Sequence, residues 1–120
     1  MTADEWVQML NQLVSKTRDG RIDWRTDSQG NRSQANVGAY IAALDYVVVR
    51  SNQRLLPQRG SLALSLFTSD GRRIVTLTEA ECAASPGQAD DIALRTLFEA
   101  VVVEPHTKAI EGFRSALSDL

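Results

Sequence analysis

The sequence predicts an α+β domain: an N-terminal helix, a meander of about four antiparallel strands, and a long kinked C-terminal helix. The two terminal helices are expected to lie together on one face of the sheet. Three observations carry this reading. Apolar residues recur at helical spacing at both ends of the chain, from Trp6 to Val14 and from Ile92 to Leu120. Between them the period falls to two. The breaks are marked by Gly, Pro and Asp-Gly. The 120 residues fit one domain, 1–120, long enough to bury a core without metal or disulfide.

Thr2 and Glu5 have capping-box spacing at the start of the first helix. Trp6, Val7, Met9, Leu10, Leu13 and Val14 form its apolar stripe, and Gly20 offers the left-handed residue that ends it. Ile22 and Trp24 suggest a short extended piece, and the polar run from Arg25 to Gln34 a loop. From Ala35, the residues Val37, Ala39, Ile41 and Ala43 alternate onto one side, and the β-branched run Tyr46–Ser51 continues extended. A single strand through both exceeds the usual length of roughly 3–10 residues, so a hairpin turning near Asp45 is predicted. Pro57 and Gly60 mark residues 52–60 as a loop. Leu62, Leu64 and Leu66 share a face, and Ser69-Asp70-Gly71 turns the chain back through Ile74, Val75 and Leu77. A second loop covers 78–88. Asp90 or Asp91 is placed to cap the last helix, which Pro105 must kink or divide.

Asp-Gly-Arg occurs twice, at 19–21 and 70–72. The first copy ends a helix and the second turns a hairpin, so both serve as punctuation rather than repeat.

A net charge of −2 argues against a protein devoted to binding phosphate backbone. Cys82 is the only cysteine, which rules out an intramolecular disulfide and a Cys-rich zinc site and fits a reducing compartment. The N-terminus lacks a basic, apolar leader pattern, and no apolar run approaches the roughly 18 residues of a spanning helix. A cytoplasmic location is expected.

No catalytic residue, metal ligand or cofactor site is predicted. His106 is the only histidine and has no evident partner. The charges nearest Cys82 are the acids Glu79 and Glu81, not bases. The chain has no nucleophile elbow, P-loop or dinucleotide fingerprint. Trp6 and Trp24 suit the core. Two binding surfaces remain. The last helix is apolar on more than one face, and Leu94, Phe98, Val101, Val102 and Val103 are expected to meet a second copy or a partner protein. The alternative is an anion or nucleic-acid site built from Arg54, Arg59, Arg72 and Arg73, if these gather at one end of the sheet. The leading expectation is a non-enzymatic interaction module.

Lys16-Thr17 followed by Gly20, Ile22 and Trp24, then alternating hairpins and a helix containing Leu97-Phe98-Glu99-Ala100, resembles a group of small uncharacterised bacterial proteins. That group carries a "KTxxGxIxW" segment after its first helix and a "LYxxA"-type last helix. The resemblance implies a bacterial, cytoplasmic origin and this order of elements. It implies no catalytic residue. Phe98 stands near the tyrosine of that pattern, and Pro105 interrupts a helix that the group keeps whole.

Overall fold

The computed structural model describes residues 2–51, 54–79 and 89–120. Helix α1 (Ala3–Arg18) starts where Thr2 Oγ1 accepts the Glu5 N–H at 3.2 Å. It ends as Gly20 takes φ +75°, which lets the Arg21 N–H reach the Lys16 carbonyl at 3.0 Å. The chain then doubles back along the helix. Trp24 Nε1 donates to Thr17 Oγ1 at 2.9 Å, and that hydroxyl donates to the Leu13 carbonyl.

Seven strands follow among the described residues, more than the expected four. They are β1 (Arg25–Thr26), β2 (Arg32–Val37), β3 (Tyr40–Asp45), β4 (Val48–Ser51), β5 (Arg54–Pro57), β6 (Ala63–Thr68) and β7 (Arg73–Thr78). The main sheet is antiparallel, ordered β1-β2-β3-β6-β7, and β4 pairs only with β5. The polar run 25–34 thus holds β1 and the start of β2. The segment expected as a loop at 52–60 holds β5, with Pro57 at its end, where a missing N–H is tolerated.

The β2–β3 hairpin turns at Gly38–Ala39 and not near Asp45, with Val37 opposite Tyr40. Gly38 has φ +60°, as a two-residue hairpin loop requires. This moves the register. Ala35, Ala42 and Leu66 align on one face, as do Ser33, Leu44, Leu64 and Leu77, while Ile41 and Ala43 lie on the other. The expected row Val37–Ala39–Ile41–Ala43 is therefore broken by its own turn. A Cβ at Gly38 would meet no atom within 4 Å, so only the backbone conformation resists substitution. Gly38→Ala is expected to lower stability by about 1 kcal/mol, and Gly38→Asn by less, in denaturant titration.

The inner face of the sheet carries Leu44, Leu62, Leu64 and Leu77 against Leu10 and Val14 of α1. Helix α2 (Ala89–Phe98) adds Ala93, Leu94, Leu97 and Phe98 to the same cluster. Tyr46 is buried among them, its ring edge-on to Phe98 at 5.3 Å. Its hydroxyl meets Ser33 Oγ at 2.9 Å, and Ser33 meets Thr26, so a polar chain runs from the core to the edge strand.

Beyond α2 comes a π-helical turn (Glu99–Val103), then helix α3 (Glu104–Ser118). Pro105 has no N–H, and in an α-helix its ring would strike the Val101 carbonyl. The wider turn just before it accommodates both, with the Glu104 N–H bonded to the Glu99 carbonyl. Pro105 sits in the first turn of α3, and the helical rod continues past it. The rod packs on the domain only as far as this turn. No residue of α3 is buried.

Candidate interaction surface

The five apolar residues expected to meet a partner are mostly taken up by the domain itself. Leu94 and Phe98 are wholly buried, and Val101 is buried beside them. Val102 and Val103 are half-buried against the same core. In this fold Leu94, Phe98 and Val101 present no outer surface. The second apolar face of the helix is used against α1, which runs alongside α2 and whose Arg18 makes a bidentate pair with Glu104.

The unpartnered apolar surface lies further on. Ile110, Phe113 and Leu117 of α3 are 48%, 65% and 52% exposed, and Leu120 follows them fully exposed. With Val103 and His106 they occupy positions 103, 106, 110, 113, 117 and 120, an alternation of three and four. That is the spacing of a two-helix seam. Ala109 and Ala116 flank it on one side, Thr107 and Arg114 on the other. The stripe was visible in the sequence as a continuation of the last helix. What the sequence did not show is that the core is complete without it.

At the root of α3 the β4–β5 pair stands off from the helix and leaves a groove of about 650 Å³. Leu55, Leu56 and Pro57 form one wall, Val103 and Ile110 part of the other. Its charges are mixed: Arg54, Arg95 and Arg114 against Glu99, Glu104 and Glu111. His106 borders it as an exposed residue of α3. A smaller apolar cleft, about 300 Å³, opens where α1 leaves the far end of the sheet uncovered, between Met9, Leu13, Tyr40 and Ile74.

The four arginines of the alternative site do not converge. Arg72 and Arg73 stand at the β6–β7 turn, with Arg73 over the Phe67 ring at 6.0 Å. Arg59 precedes Gly60, whose N–H bonds Glu79 beyond the other end of β7. Six strand residues, about 20 Å, separate the two places. Arg54 opens β5 in the separate two-stranded pair and faces the groove.

Glu79 was singled out by nothing in the sequence. Its side chain is buried, pairs with Arg95 of α2, and accepts the Gly60 N–H at 2.6 Å. One carboxylate thus joins the end of β7, the turn before β6 and α2. Its surroundings are filled by these partners, so it serves as a tie rather than an open acid.

Cys82 lies outside the described residues. Asp90 and Asp91 fall within α2, and the residues before Ala89, where a cap would sit, are also outside them. Trp6 and Trp24 pack against the core. Among the described residues no group of His, Cys, Asp and Glu is disposed to hold a metal ion, and no helix is long and apolar enough to cross a membrane. No known protein family, curated protein or solved structure matches this chain.

Proposed function

We propose that the chain is a non-enzymatic protein-interaction module of the bacterial cytoplasm, and that its projecting C-terminal helix is the docking element. The partner is a second copy or another protein. The observation that carries this is the seam of Ile110, Phe113 and Leu117, left open on a helix with no buried residue. A 15-residue helix with Gly112 in its interior is marginal on its own in water. Contact along its apolar stripe supplies what propensity lacks.

Phe113→Glu and Leu117→Glu test the reading. Neither residue supports the domain core, so both variants are expected to keep the parent's fold, with stability changed by less than about 0.5 kcal/mol. Both are expected to lose association, read as solution mass by light scattering and as stoichiometric complex recovered on tagged protein. If wild type is a folded monomer and forms no complex that depends on Phe113, the proposal is wrong.

A further inference from the structure

We infer that the occupant of this seam is the same helix of a second copy, running antiparallel, with the tip of each α3 seated in the groove at the root of the other. This rests on the reading of α3 as the docking element and names its partner.

The seam is open along its length: Ile110, Phe113 and Leu117 are about half exposed or more, and Leu120 is wholly exposed.

The sequence of the seam favours the antiparallel pairing. Setting Ile110 against Phe113 of a second copy also sets Leu117 against His106 and Leu120 against Val103. Ile110, Phe113 and Leu120 then meet apolar residues of the second copy in one register, and Leu117 meets the His106 ring. The same register carries Leu117 and Leu120 to the mouth of the root groove, beside Leu55 and Leu56. Two unpartnered features of the C-terminal half, the ridge along α3 and the hollow at its base, fill each other. Arg114 falls within one turn of the second copy's Glu111 on the same side of the seam, twice by symmetry. The small residues Ala109 and Ala116 line the opposite side and let the helices approach closely. A parallel pair sets His106 on His106, leaves the root grooves empty, and crowds both domains at one end.

The test mixes two single-cysteine additions, Ile110→Cys and Phe113→Cys, under mild oxidation. Trypsin cuts after Lys108 and Arg114, so the linked peptides identify themselves by mass and are distinct from any that contain Cys82. The expected result is a wild-type solution mass of twice 13.2 kDa and a disulfide mainly between position 110 of one chain and 113 of the other. Mainly 110–110 and 113–113 products overturn the antiparallel register. A dimer that yields no seam product places the interface elsewhere and also overturns it. A monomer that still forms a Phe113-dependent complex with another protein refutes self-pairing but leaves the docking role of α3 standing. A monomer with no such complex refutes both.

Discussion

Phe98→Ala is expected to destabilise the domain by about 3–5 kcal/mol, a large share of a margin that is itself about 5–15 kcal/mol. Phe98 is wholly buried where sheet and helix α2 meet, and Tyr46 stands edge-on to its ring. Truncation removes apolar area, leaves a cavity, and frees the Tyr46 ring from its edge contact. The neighbours cannot close the space easily, because Leu44 and Leu64 are fixed in strand register. Phe98→Leu keeps most of the volume and is expected to lose about half as much. Urea or thermal unfolding of purified variants measures both. A loss under 1 kcal/mol for Phe98→Ala would contradict the core described above.

Arg95→Ala is expected to cost about 3 kcal/mol, more than a charged residue on a helix surface ordinarily does. The reason is the residue it leaves behind. Glu79 is 4% exposed and keeps only the Gly60 N–H among the contacts described. A carboxylate in that position without its counter-charge carries an uncompensated desolvation cost. The double variant Arg95→Ala with Glu79→Gln is expected to recover part of the loss, since a neutral amide needs no counter-charge. Equal losses in single and double variants would show that Arg95 acts through contacts other than Glu79.

Much of this architecture was legible in the sequence because its signals are local. The first helix carries a cap, a stripe and a terminating glycine within twenty residues. The β6–β7 hairpin carries Asp-Gly between two alternating runs, and Leu62, Leu64 and Leu66 face the core side as their alternation predicts. The misplaced turn at Gly38 shows where local signals compete. Ala39 and Tyr40 do not look like a turn, and one glycine at positive φ suffices to reverse the chain. Strands β1 and β5 were missed because polar or proline-bearing sequence can still pair when a neighbouring strand supplies the partner groups.

The binding surface was legible in kind but not in place. The last helix does hold more apolar surface than the sheet can cover. Which part stays uncovered depends on how α1 and α2 share the sheet, and that is settled by contacts distant in sequence. Leu94, Phe98 and Val101 look as available as Ile110, Phe113 and Leu117 until the tertiary packing is known. The arginines fail as a cluster for a similar reason. They are close in sequence, but β6 and β7 set Arg59 and the Arg72–Arg73 pair at opposite ends of the sheet, and Arg54 lies in the separate β4–β5 pair.

The π-helical turn has a consequence for direction. Carried on in α-geometry, the inner stripe of Leu94, Leu97, Phe98 and Val101 would arrive at Glu104, Pro105 and Lys108, none of them suited to an apolar contact. The outer stripe instead runs through His106, Ile110 and Phe113, one to two residues later than that continuation. A π turn takes up one residue more than an α turn, about 100° of rotation. The turn at Glu99–Val103 therefore works as a fixed wrist between two amphipathic rods. By taking up the extra residue it turns the outer stripe back by about 100°, so that Ile110, Phe113 and Leu117 come round toward the side of the rod on which the inner stripe lies, where the β4–β5 groove opens.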